Sequence, residues 1–281
     1  MKRSSFESEY ADSVLPTFQG APATHDAVRI GADVETPWTQ MSDLLGNTVL
    51  QAVQSFYLAK RSMQYFSDLP DDDDRVGRAI EDINERLMRM AVLDIAALND
   101  GGLSFRDPEN TRVASLPTAH RRMKRHLTDA NASAAELDQL SELQTDINCD
   151  LYMPLLYVRH LRNKWAGHPS LDRRFDAWAD ADKELSVATV EAALARLVNN
   201  ARDTALFASE SPALQDFRQP PAVANPDGSW PMEVKLSNVV VWADLMRVSA
   251  GDQVRALRAQ ITGKTMLERF AHTEAYRGKQ Y

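Results

Sequence analysis

Apolar residues recur at spacings of three and four along most of this chain, and that repeat limits the secondary structure it can form. Met41, Leu45, Val49, Val53 and Phe56 follow it. So do Ile80, Ile83, Leu87, Ala91, Ile95 and Leu98, and later Val187, Val190, Leu194, Leu197 and Ala201. At 3.6 residues per turn each set lies on one helical face, whereas a strand would turn successive residues to opposite sides. The chain has only eleven glycines in 281 residues, below the roughly 7% of average usage, which disfavours turn-rich β architectures. The expected fold class is all-α, an antiparallel helical bundle.

Breaks in the repeat divide the chain. Residues 1–35 carry scattered Pro, Gly, Ser and Thr without helical periodicity and read as a disordered arm. Thr36-Pro37 is an N-cap followed by proline at the first helical position, opening a helix that runs to about Ser67 and is broken by Pro70. Asp71 to Asp74 start a second helix; acids there suit the macrodipole and need no metal. Gly101-Gly102 end it. A short basic helix is expected over Thr118 to Thr128. Ser133 and Glu136 form a capping box that launches a long helix, kinked at Pro154 and continuing to Ala166. The helical domain is assigned to residues 36–217, a Pro-rich linker to 218–231, and a mostly helical C-terminal extension to 232–281. Within that extension Val239-Val240-Val241 fits a strand as well as a helix, and periodicity does not decide.

The bulk properties exclude several classes of function. A formal charge of −8 argues against broad affinity for DNA, which depends on neutralising many phosphates, but leaves room for a small, locally basic RNA site. The single Cys149 excludes an intrachain disulfide and any multi-cysteine zinc site, and fits a reducing compartment. The first twenty residues lack an apolar signal region, and runs such as Leu155 to Val158 are too short to span a bilayer. A cytoplasmic protein without membrane attachment is expected. Neither a glycine-rich phosphate loop nor a His-Glu-x-x-His motif occurs, and no metal or cofactor is expected.

One permanent charge interrupts an apolar stripe. Leu151, Leu155, Val158, Leu161 and Trp165 share a face, and Arg162 falls within about 20° of Leu155 on the helical wheel. A guanidinium keeps its proton, and a buried unpaired charge costs several kcal/mol. Arg162 must therefore meet an anion, or the stripe must face a wet seam between subunits. Asp94 is the internal candidate, because it also interrupts an apolar face. Six residues beyond Arg162, His168 sits where Gly167 and Pro169 end the helix. On an ideal helix the two lie about 120° apart, so they converge only if Gly167 unwinds the last turn or a second chain supplies one of them. Trp165 reads as packing rather than a base-stacking platform.

Antiparallel helices with Arg162-Asn163-Lys164 and His168 closing a long one resemble the HEPN superfamily (higher eukaryotes and prokaryotes nucleotide-binding), in its abortive-infection-like branch. The family signature is an arginine and a histidine separated by four to six residues, the first of them usually polar. Arg121 and His126 also fit that spacing, but Arg162 has Asn163 beside it, a place on an apolar face and a helix stop after it. The resemblance covers roughly residues 36–210. It implies a metal-independent endoribonuclease in a toxin or phage-defence setting, acting as a homodimer on RNA, with an antitoxin or other protein as further partner.

On that resemblance Arg162 would clamp the phosphate and stabilise its transition-state charge. Asn163 would orient the group through its amide, and His168 would be the acid–base residue. Arg159, His160 and Lys164 would add positive charge beside the site. Arg121, Arg122, Lys124 and Arg125 either line an RNA path or form a solvated face. The alternative is a non-catalytic HEPN-type interaction module that binds a protein partner or nucleotide, in which an internal acid ties off Arg162.

Overall fold

The computed structural model describes residues 38–67, 74–101, 113–167, 185–218 and 235–277. Every regular element among them is helical, so the fold class is all-α. The expected N-terminal arm, Asp71 to Asp73, His168 and nearly all of the Pro-rich linker lie outside the described residues. No described helix is long and apolar enough to cross a membrane.

The first helix, α1 (Trp38–Phe66), is the hub. Its expected face is buried, with Met41, Leu45, Val49, Val53 and Phe56 each no more than 1% exposed. Small residues on its flanks, Ser42, Gly46, Ser55 and Ser62, are buried as well. A helix covered over more than one stripe has neighbours on more than one side, and α1 packs against both α2 (Asp74–Leu98) and the last helix, α7 (Val239–Arg277). The run Val239-Val240-Val241 is thus helical. Val239, together with Leu236 of a preceding 3-10 turn, enters the main core.

On α2 the buried stripe is rotated from the expected one. Ala91, Ile95 and Leu98 are buried as anticipated, but Ile83 is 54% exposed, and Asn84, Met88 and Val92 face inward instead. Two stripes of helical period coexist in this sequence. The polar Asn84 disguised the one that packs.

Helix α3 (Leu116–Asp129) begins at Ser115, whose Oγ accepts from the Thr118 amide, with Pro117 in the first turn. The turn after it passes through Asn131, which has a φ of 50°, a left-handed conformation that asparagine tolerates better than most residues. The capping box then forms as expected at the start of α4 (Ala134–Asp146). The Ser133 amide donates to Glu136 Oε2 at 3.0 Å, and the Glu136 amide donates to Ser133 Oγ at 3.3 Å. Ser211 Oγ donates to the other carboxylate oxygen at 2.6 Å. Bonds from Ser211 and Ser133 hold the Glu136 carboxyl below its usual range.

The expected long helix, kinked at Pro154, is two helices. The α4 helix stops at Asp146, and a tight turn follows in which the Leu151 and Tyr152 amides both donate to the Asn148 carbonyl. Then α5 (Met153–Leu161) starts afresh with Pro154 in its first turn. There the missing N–H costs nothing, since first-turn amides have no partner within the helix. Leu155 and Val158 are each 2% exposed in the protomer's own core, so they do not form the wet seam that the stripe suggested.

The sixth helix, α6 (Val187–Glu210), closes the bundle, capped by Ser186. It is pinned to α1 by Glu191, which accepts from Tyr57 Oη at 3.0 Å and from Lys60 Nζ at 2.6 Å. Burial, and then the Glu191 charge, push the Tyr57 hydroxyl up to about 12.

Candidate functional site

The backbone departs from α-helical geometry at the run singled out by sequence. From Arg162 to Ala166 it forms a π turn, in which the Gly167 amide donates to the Arg162 carbonyl at 2.8 Å. A π turn inserts one residue into the helical ladder and recurs at functional sites. Gly167 makes it possible, because a Cβ there would stand 2.7 Å from the Arg162 carbonyl oxygen. The last turn is therefore widened rather than unwound. Trp165 packs against the core, with the Arg89 guanidinium of α2 5.1 Å from its ring centre. That cation–π contact ties the π turn to α2.

Arg162 opens onto a cleft of about 140 Å³ between the end of α2, the α4–α5 turn and α5. Ile95, Ala96, Leu155 and Val158 give it an apolar floor; Asn99, Asp100, Cys149, Arg159 and Arg162 give it a polar rim. The wheel placed Arg162 correctly over Leu155, but the side chain ends in solvent, 44% exposed. The length of the side chain carries the guanidinium past the apolar floor to water.

The anion that meets Arg162 is Asp100 rather than Asp94. Arg162 Nη2 reaches Asp100 Oδ2 at 3.4 Å, and the aspartate is itself 36% exposed. The π turn lies beside the end of α2, and Asp100 stands two residues past its last residue, Leu98, whereas Asp94 is a full turn back inside the helix. Asp94 is half-buried, and burial pushes its carboxyl up. The Asp100 backbone is anchored from the other side, its carbonyl accepting from Ser115 Oγ at 2.6 Å.

Arg159, one turn earlier on α5, shares the rim and donates to Asp150 at 2.8 Å. Asn99 Nδ2 donates to Cys149 Sγ at 2.9 Å, and burial raises the Cys149 thiol above its ordinary range, so it is protonated and a poor nucleophile at neutral pH. Chemically the rim offers two guanidinium groups for an anion, each already near a carboxylate, above a floor that accepts an apolar or aromatic group. Among the described residues no three His, Cys, Asp or Glu side chains are grouped as metal ligands.

The other sequence candidates divide. Asn163 is exposed on the π turn, and His160 and Lys164 are half-buried beside it; none of these three lines the cleft. His168 lies outside the described residues. On α3, Lys124 and Arg125 are exposed, while Arg121 is partly buried and donates to Thr118 Oγ1 at 3.0 Å. Arg122 is 5% exposed, with Nη1 3.4 Å from Met41 Sδ. Its burial, alongside that of Ala119, Met123 and Leu127 on the same helix, withdraws it from any RNA path. None of the four α3 cations lines the cleft.

Sequence reasoning missed Asn99, Asp100 and Cys149 as parts of one rim. The first two stand just before the Gly101-Gly102 stop, where no periodic signal marks them, and the third was read only as a measure of redox compartment. Comparison with family models, with characterised proteins and with solved structures returned no match.

Proposed function

We propose that this protein is a metal-independent endoribonuclease of HEPN type, acting as a cytoplasmic homodimer in a toxin or phage-defence setting. The observation that carries the reading is Arg162 at the head of a π turn, solvent-reaching and on the rim of a cleft that also holds Arg159. In this reading Arg162, assisted by Arg159, binds the scissile phosphate through charge-assisted hydrogen bonds. Asn163, next along the same turn, orients the phosphate or the imidazole. His168 takes the 2′-hydroxyl proton and returns one to the leaving oxygen. The chemistry leaves a cyclic phosphate end and needs no metal.

The test compares wild type with His168→Ala on mixed RNAs in the presence of EDTA. Cleavage to cyclic phosphate ends by the wild type alone is the expected result, and equal activity in the two proteins removes the assigned role of His168.

A second reading, a non-catalytic module that binds a protein partner or nucleotide, is favoured by one observation. Arg162 is paired with an acid of its own chain, Asp100. Absence of cleavage in both proteins, under conditions that release any antitoxin, selects that reading.

A further inference from the structure

We infer that Asp100 occupies the anion seat of Arg162, so that a phosphate-bearing ligand enters the cleft by exchanging with this carboxylate. The inference rests on reading the cleft as a phosphodiester site, and it names how that site is held closed.

Three observations carry it. The first is the quality of the contact. One guanidinium nitrogen meets one carboxylate oxygen at 3.4 Å, whereas a strong arginine–oxyanion pair makes two parallel bonds at about 2.7–2.9 Å. Arg162 is thus held loosely, and a phosphate offering two oxygens makes the better partner. The second is placement. Asp100 stands at the rim because its carbonyl accepts from the fully buried Ser115, which also caps α3. Its backbone is fixed, and only the side chain has to turn aside. The third is that the arrangement is repeated. Arg159, three residues earlier, is held by Asp150 at 2.8 Å. Each rim arginine thus carries a resident carboxylate, which offsets the positive charge that would otherwise attract polyanions indiscriminately. A bound phosphate lying beside Asp100 would be repelled by it, so ligand affinity is set by the difference between two anions on one cation.

Exposed ion pairs of this kind contribute about 0.2–1 kcal/mol, equivalent to up to about fivefold in affinity. The full-length protein is titrated with inorganic phosphate and with a 2′-O-methylated single-stranded RNA, which cannot be cleaved through its 2′-oxygen. Wild type, Asp100→Asn, Asp100→Glu, Arg162→Ala and the Asp100→Asn/Arg162→Ala double variant are compared, with helical circular dichroism checked for each. Asp100→Asn is expected to tighten binding roughly two- to fivefold, Asp100→Glu to bring no gain, and the double variant to match Arg162→Ala. A gain for RNA alone marks a polynucleotide as the ligand; a gain for inorganic phosphate alone marks a small free anion; either upholds the exchange. Unchanged or weaker binding by Asp100→Asn, or a gain that survives loss of Arg162, overturns it. Failure of the wild type to cleave unmodified RNA, with the Asp100→Asn gain intact, counts against the ribonuclease reading and leaves the exchange standing.

Discussion

At the residue scale, two titratable groups, one buried and one held by hydrogen bonds, have consequences that can be measured away from the cleft. His120 is fully buried, its Nε2 within 2.8 Å of Thr204 Oγ1, and burial lowers its pKa from 6.5 to about 3. The unfolded chain therefore takes up a proton that the folded chain refuses. Its stabilising effect is complete above about pH 6.5 and falls as the pH drops, approaching about 1.4 kcal/mol per unit until the folded pKa is reached. Denaturant melts between pH 7 and 5 are expected to show this slope, and His120→Gln to flatten it while lowering stability overall. Glu136 behaves in the same sense over a lower window, because its folded-state pKa is depressed and its contribution disappears only as the pH falls through that value. Arg162 belongs to this scale too. Its anomaly was legible from the wheel alone, and the requirement for an anion was met, but by Asp100 rather than Asp94. A wheel gives angles on one helix only, so it could not rank acids on a neighbouring element, least of all Asp100, which lies two residues past the end of α2.

At the element scale, the π turn is the most demanding piece of local structure. Glycine inside a helix ordinarily costs about 1 kcal/mol relative to alanine, so a Gly→Ala change in an exposed helix is usually stabilising. At Gly167 the sign reverses, because the added methyl would meet the Arg162 carbonyl at 2.7 Å. Gly167→Ala is expected to lower stability by about 1–3 kcal/mol, the usual penalty of overpacking, and to weaken RNA binding along with it. Thermal melts and a binding titration of the one variant check both. A stabilised variant with unchanged binding contradicts this account of the turn. Sequence reasoning recognised Gly167 as a helix stop but not the widened turn, since a π insertion leaves no mark on hydrophobic periodicity. Pro154 shows the complementary error. A proline inside a continuous apolar pattern suggests a kink, yet two helices that abut in sequence can produce the same pattern. The short turn that separates them at Asn148 is built from backbone bonds that the pattern does not encode. The capping box at Ser133 and Glu136 was fully legible, because capping chemistry is local.

At the scale of the whole molecule, α1 is the element on which the rest depends. It packs against α2 and α7 and is pinned to α6 through Glu191. Phe56 at its centre is fully buried, and Phe56→Ala is expected to cost about 3–5 kcal/mol, read as a matching shift in the denaturation midpoint at unchanged slope. The all-α class followed directly from the repeat of three and four, whereas the partnership of α1 with α7 did not. Residues 219–234 separate α7 from the preceding described chain, and contacts across such an interval have no local signature. The proposed homodimer also belongs to this scale. With Leu155 and Val158 already in the protomer core, a seam must use other apolar surface such as Leu151 and Met153, which are 68% and 54% exposed. Sedimentation at tens of micromolar is expected to give the mass of two chains, and a monomer there removes the dimer from the proposal.

The central claim is that Arg162 is where this protein holds a nucleic-acid phosphate. The salt dependence of binding to an uncleavable single-stranded RNA tests it most directly, because each phosphate neutralised by the protein contributes about 0.7 to the slope of log affinity against log salt. The account predicts that Arg162→Ala both weakens binding and makes that slope shallower by roughly this one-phosphate increment. An Arg162→Ala protein that binds RNA as tightly as wild type, with the same salt slope, would contradict it.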